Sequence, residues 1–249
     1  MRTDILDIIA KSPQQGTDEW LTFRKGLFTG SVVGKLMKIK KDGKPSAEVE
    51  TYIQDVVEQR TENRTAVVGD YDRYKYINEI YSKAVNWGHE QEDEAVYLYQ
   101  KLIGNKVTRC GSILHPTLAC FADSPDGLLL DVDGCIEVKC PMRKTHLNYI
   151  LNISNQDDLL KIEPEYYWQT MSHMSCTGAS FCDWMSYYPF STLPLWVVRI
   201  ERDTTAINNL TSKIAEAEII VNNRLVEFNA KKQAMREIIK AKGIADNVS

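Results

Sequence analysis

The chain has 249 residues, 43% of them hydrophobic and 26% charged, with a formal net charge of −4. This composition suits one soluble globular domain, or a core with a helical appendage, and excludes disordered, fibrous and membrane-embedded classes. A polyanionic ligand would have to be drawn by a local patch or a bound metal, because the charge as a whole is mildly acidic.

Ile5, Ile8 and Ile9 recur at helical spacing within residues 3–11, and Ser12-Pro13-Gln14-Gln15-Gly16 ends that helix. Thr17 stands as an N-cap before a second helix, which buries Trp20 and Phe23 and closes at Arg24. Gly26 punctuates the chain, and Thr29 is placed to cap a third helix starting near Gly30-Ser31. From there the charge is one-sided: Arg24, Lys25, Lys35, Lys38, Lys40, Lys41 and Lys44 stand against Asp42 alone. A solvated basic face is one account. The other is a phosphate-binding region built from the forked donor of Arg24, the Ser31 hydroxyl and the N–H groups of a helix N-terminus.

Residues 46–62 read as an amphipathic helix with Val49, Ile53 and Val57 in register. Periodicity lapses over 63–72 and resumes as an aromatic-rich helix over 74–85, leading to Asn86-Trp87-Gly88. A new helix is expected after Gly88, with Ala95, Val96, Tyr99, Leu102 and Ile103 on one face. Glu92 shares that face, whereas Glu90, Asp93 and Glu94 suit the first turn of any helix. An inward acid is either a satisfied carboxylate or a metal-site residue, and the chemistry of the hairpin at 124–141 favours the second.

Strands are expected over 106–110 and 118–121, leading into Ser124-Pro125-Asp126-Gly127. Leu128 to Leu130 is apolar, Asp131-Val132-Asp133-Gly134 has hairpin-turn chemistry, and Cys135 to Lys139 reads as the returning strand. Glu137 and Lys139 are two apart and share a face, and folding the hairpin brings Asp126 beside them. Taken alone, Asp126 would be a turn residue and Glu-x-Lys a solvated face. Ile136, Val138 and Cys140 make the opposite face apolar, however. Two acids and a lysine on such a strand suit a hard divalent cation and an attacking water.

Beyond Pro141 a helix is expected over 142–153, a polar loop over 155–162 and a helix over 163–176. The last places Gln169 and His173 on one face at i, i+4, with His173 read as a core residue bonded to backbone. Strands over 181–188 and 195–200 precede a long helix capped by Asp203. Ile207, Leu210, Ile214, Val221, Leu225 and Phe228 are its packed stripe, and it ends near Gly243. The six cysteines include no Cys-x-x-Cys pair, and no signal peptide or transmembrane-length run is present, which suits a reduced cytosolic protein.

Four blocks occur in order: Gly16-Thr17-Asp18-Glu19-Trp20 with Arg24-Lys25-Gly26 and Thr29-Gly30-Ser31; Trp87-Gly88-His89-Glu90-Gln91-Glu92; the hairpin with Ser124, Asp126, Glu137 and Lys139; and Tyr167-Trp168-Gln169. Together, over about residues 16–200, they resemble the lambda exonuclease and YqaJ viral recombinase group of PD-(D/E)XK nucleases. The resemblance implies an α/β, restriction-endonuclease-like core, a central mixed β-sheet flanked by helices, with a long C-terminal helix. It also implies one domain over 1–249: an N-terminal helical DNA-end-binding part over 1–86, a catalytic core over about 87–201 and the C-terminal helix over 203–243.

By the same resemblance Asp126 would bridge two Mg²⁺ ions, with Mn²⁺ able to substitute. Glu137 and the Val138 carbonyl would ligate one of them, and Glu92 would support the site directly or through water. Lys139 would hold or activate the water, and Gln169 would position Lys139 or the nucleophile. Arg24, Ser31 and Ser124 would bind the 5′-phosphate, and Val85 falls near a strand-separating wedge. The implied activity is a 5′→3′ exonuclease that starts from 5′-phosphorylated duplex ends, releases mononucleotides and leaves 3′ single strands. The implied assembly is a homotrimeric ring in the bacterial host cytoplasm, partnered by a single-strand annealing protein of the same phage or prophage. The pattern departs at His115-Pro116, where an acid is expected, and at Met171, where a second glutamine is common. A structure-specific endonuclease on the same core and a DNA-end-binding module without catalysis are the alternatives.

Overall fold

A computed structural model describes residues 1–62 and 83–242. The helix expected over 74–85 lies almost wholly outside these residues. Val85 falls inside a described helix, but its side chain is outside the description.

Helices α1 (Ile5–Lys11) and α2 (Asp18–Arg24) are followed by a two-residue strand β1 (Phe28–Thr29), a one-turn helix α3 (Gly30–Val33) and α4 (Ala47–Thr61). Thr17 caps α2 by accepting the Trp20 N–H at 3.2 Å, whereas Thr29 makes no side-chain cap bond to α3. Helix α5 (Lys83–Ile103) runs unbroken through Gly88 instead of starting after it. A helix interior tolerates one glycine at a cost of about 1 kcal/mol, which the packing of Ala95, Val96 and Tyr99 offsets. Leu102 and Ile103, expected on the packed face, are exposed.

Strands β2 (Ile113–Leu114) and β3 (Phe121–Asp123) join β1 in a small sheet of order β1-β3-β2. Strands β4 (Gly127–Leu129), β5 (Gly134–Lys139), β6 (Phe181–Tyr187) and β7 (Leu195–Glu201) form the larger one in that order. The larger sheet is the central mixed sheet that the resemblance implied, the smaller one is mixed as well, and Ser124-Pro125-Asp126 links β3 to β4. The strand expected over 106–110 contributes one bridge, Thr108 to Leu128. The hairpin reverses through a 3₁₀ turn at Leu130–Val132, and Asp133 takes the left-handed conformation at φ 57°, which a short polar side chain tolerates.

Parallel strands β5 and β6 are joined by α6 (Arg143–Asn152), α7 (Gln156–Ile162) and α8 (Pro164–Thr177). Helix α7 replaces the expected polar loop, because the Asn155 side chain accepts the N–H groups of Asp157 and Asp158 and caps it. Every residue of β6 is buried, as a parallel pair covered on both faces requires. Ile136, Val138 and Met185 pack toward α5, while Cys135, Trp184 and Ile200 pack toward α8 and the final helix α9 (Thr204–Ala241). Helix α9 buries Ile207, Leu210, Ile214, Ala217 and Val221, but Phe228, placed on the packed stripe by sequence, is exposed. Arg60 ties it to the N-terminal helices through a two-pronged bond to Glu218, both at 2.8 Å. Among the described residues no helix is long and apolar enough to cross a membrane.

Candidate active site

The site grows from the register between β5 and α8. Residues two apart on a strand are separated by about 6.8 Å, and residues four apart on a helix by about 6 Å. A crossover helix runs back against its strands, so Lys139 meets Gln169 and Glu137 meets His173. The Lys139 ammonium donates to Gln169 Oε1 at 3.1 Å and lies 4.5 Å from the Tyr166 ring centre. The same ammonium pairs with Glu137 Oε1. Nε2 of His173 lies 2.5 Å from Glu137 Oε2, and its Nδ1 lies 2.7 Å from Asp123 Oδ2. His173 thus has two carboxylate partners and not the backbone partner read from sequence.

Asp126 reaches the same face from the start of β4. Its Oδ2 accepts the Val138 N–H at 2.6 Å, which ties the carboxylate to the strand carrying Glu137. Glu92 arrives from α5 and is held by Arg109, which also pairs with Asp93 and donates to the Asp126 carbonyl at 2.8 Å.

The charges are strongly coupled. Burial raises the Asp126 carboxyl well above the ordinary range, and the Glu137 and Glu92 charges add to it. Burial works the same way on Glu137, but Lys139 and His173 outweigh it and hold Glu137 down at about 2. Burial opposes the charge on Lys139 and on His173, yet in both the adjoining carboxylates win and the pKa is raised. Lys139 is therefore an ammonium in this state, able to donate and orient but not to take a proton.

A second group of residues lies beside this one. The Arg24 guanidinium stacks 4.1 Å from the Trp20 ring centre and donates to Ser31 Oγ at 3.2 Å. Burial lowers its pKa, with Asp123 and Tyr52 opposing. Trp20 Nε1 in turn donates to Ser124 Oγ at 3.1 Å, and the Ser112 hydroxyl lies 2.7 Å from the same oxygen. Beside Gly30, at the start of α3, the Asp123 carboxylate fills the space a Cβ would take. Within the basic run, Lys25 pairs with Glu62 and Lys38 with Glu48 and Glu165, so part of it serves the fold.

One cleft of about 690 Å³ collects Arg24, Ser31, Glu92, Ser124, Asp126, Glu137, Val138, Lys139 and Gln169. His115 lies elsewhere, stacked on Phe121 and bonded to Ser175 at 3.1 Å, and burial together with Arg2 lowers its pKa to about 4. It does not stand in for the missing acid. Sequence reasoning missed Asp123 and Arg109. Asp123 adjoins the Ser124 block and could have been flagged by that position, whereas Arg109 carries no local signal.

The donor set suits a hydrated divalent cation. Among the described residues no three His, Cys, Asp or Glu side chains form a ready-made cage. Mg²⁺ does not need one, since it keeps several waters and binds one or two carboxylates plus substrate phosphates. Asp126 and Glu137 meet that requirement: both line the cleft, and burial together with the Glu137 and Glu92 charges disfavours a bare Asp126 carboxylate, which a divalent cation would relieve. The residues fit.

The model of the YqaJ-like viral recombinase domain matches residues 19–180. An alkaline exonuclease from Laribacter hongkongensis, LHK-Exo, superimposes with a TM-score of 0.72 at 29% identity, over 88% of this chain and 100% of that one. The same enzyme in complex with dAMP gives 30% identity, the same TM-score and the same coverage. A phage-related exonuclease from Haemophilus somnus 129PT, 14% identical, shares the fold with a TM-score of 0.59 over 81% of this chain and 96% of that one. None of the curated proteins matches the chain.

Proposed function

The chain belongs to the YqaJ-like viral recombinase family and is a nuclease of the alkaline-exonuclease kind, and we propose that it is a Mg²⁺-dependent 5′→3′ exonuclease acting on duplex DNA from 5′-phosphorylated ends. One observation carries this reading: an acid–acid–lysine group and a half-buried guanidinium flanked by serine hydroxyls share one cleft. Among the described residues Arg24 has no carboxylate ion-pair partner, so a phosphate would supply the charge it lacks. A phosphodiester cut beside a gripped end phosphate frees one nucleotide, as an exonuclease does.

Asp126, Glu137 and the Val138 carbonyl would hold the cation, with Glu92 acting directly or through water. Bound there, it would supply Lewis-acid stabilisation of the scissile phosphate and a water that is nucleophilic near neutral pH. The chain's own groups do the rest. Arg24, Ser31 and Ser124 fix the terminal phosphate. Lys139, kept charged by Glu137 and Asp126, donates to the attacking water or to a phosphate oxygen. Gln169 holds that ammonium on line. A second ion, substitution by Mn²⁺, action of the whole chain as one domain, a homotrimeric ring, a single-strand annealing partner and a cytoplasmic location belong to the same proposal, on the resemblance alone. The wedge role of Val85 rests there too.

End-labelled linear duplexes, with and without a 5′-phosphate, and covalently closed circles test it. Stepwise loss of the 5′ label as mononucleotide, with circles intact, is expected. Cut circles would mean an endonuclease on this core, and binding without release of nucleotides would mean an end-binding module.

A further inference from the structure

Asp123 and His173 have no part in the chemistry above, yet His173 is 0% and Asp123 3% exposed, and Asp123 lines the cleft. Asp123 is pinned on every side. Its Oδ2 accepts the Ser172 hydroxyl at 2.5 Å as well as facing His173, and its Oδ1 accepts the Ser124 N–H at 2.8 Å. A Cβ on Gly30 would collide with that Oδ1, so only glycine leaves room for the carboxylate. The imidazole held by Asp123 cannot swing, and its Nε2 commits Glu137 Oε2. The other oxygen of Glu137, Oε1, faces Lys139 and the cleft.

We infer that Asp123 and His173 form a positioning device that takes up Glu137 Oε2, so that Glu137 offers a divalent cation one oxygen, Oε1. The consequence is selectivity. Ca²⁺ accepts two-oxygen carboxylate chelation in a flexible shell of six to eight oxygens, whereas Mg²⁺ demands near-ideal octahedral geometry. A glutamate denied its second oxygen favours the smaller ion. Clamping also removes a rotation that would have to be frozen at each turnover. This deepens the metal-nuclease reading and rests on it.

Two variants separate the clamp from general stability. In His173→Asn the amide nitrogen stands near the Nδ1 position, retaining the bond to Asp123 and releasing Glu137. In His173→Gln it stands near Nε2 and keeps Glu137 held. Mg²⁺ and Ca²⁺ affinities are read by titration calorimetry without DNA, and kcat and KM on phosphorylated duplex ends with Mg²⁺. The ratio of the two affinities cancels the change in local charge, which acts on both ions alike. The Asn variant is expected to raise the Ca²⁺-to-Mg²⁺ affinity ratio about tenfold and to lower kcat about 10–100-fold, with KM within about threefold. The Gln variant should stay within about threefold of the parent in all of these. An Asn variant with the parental ratio and kcat overturns the inference. Should that variant not fold, a Mn²⁺-soaked crystal of the parent decides: coordination through Oε1 alone supports the clamp, and coordination through both oxygens overturns it. A parent protein that binds neither cation overturns the nuclease reading along with it.

Discussion

Gln169 accepts a hydrogen bond from Lys139 at 3.1 Å, and that bond fixes how α8 lies across β5. With the register set there, His173, one turn further along the helix, meets Glu137. Catalytic strand and supporting helix are locked by two contacts whose spacings agree. Arrangements of this kind place charged side chains to within fractions of an ångström, as transfer to phosphorus requires.

Asp126→Asn and Glu137→Gln keep the shape of each side chain and remove the charge. If these acids hold the cation, several kcal/mol of stabilisation go with either, so the rate should fall by about 10³-fold or more at 1.36 kcal/mol per factor of ten. Release of labelled mononucleotide measures it. Residual cleavage within about tenfold of the parent would place the chemistry elsewhere.

Arg24→Ala should act on the choice of end and spare the cutting step. A hydrogen bond to a charged group contributes about 1.5–3 kcal/mol. The preference for 5′-phosphate over 5′-hydroxyl ends should therefore shrink by about 10–100-fold in kcat/KM. Mg²⁺ affinity measured without DNA should not move. An unaltered end preference would reject the phosphate pocket.

The pH dependence follows from opposite shifts. Asp126 is raised well above 3.8, and His173 well above 6.5, so each contributes stability below its unfolded value that is lost as pH rises through the folded one. Glu137, held at about 2, contributes above its ordinary range and loses that only as pH falls toward 2. The cation-free protein should therefore lose melting temperature as pH rises above 3.8 for Asp126, and further above 6.5 as His173 joins it. A cation takes the place of the proton on Asp126, so the gain in melting temperature on adding Mg²⁺ should grow over the same range. A gain that shrinks with rising pH would remove Asp126 from the ligand set.

Arg60 tests the fold apart from the chemistry. It donates to the Gly26 carbonyl at 2.7 Å and to both oxygens of Glu218, joining α4, the α2–β1 turn and α9. Arg60→Ala should lower unfolding free energy by about 2–3 kcal/mol, read from urea denaturation. A loss below about 0.5 kcal/mol would show that α9 is held by its apolar stripe alone.

Much of the site was legible because it is local. A period of two places Glu137 and Lys139 on one face, and a period near four does the same for Gln169 and His173, whatever the rest of the chain does. The Asn155 cap is legible in principle, but the polar residues after it hide the helix it starts. Gly88 misled for a related reason: a glycine ends a helix only when packing does not carry the backbone through it, and that packing comes from β5 and β6.

The sequence by itself determined which side chains share a face, since that follows from backbone geometry within a few residues. Only the tertiary structure decided which faces meet. Asp123 finds His173 fifty positions away, and Glu92 finds Arg109 seventeen away, through a crossover and a strand link that no local pattern encodes. Such pairings are settled by the burial of α5 and α8 on opposite faces of one sheet. The charge states of Asp126, Glu137 and Lys139 depend on that burial, so the chemistry became readable only once the chain was folded.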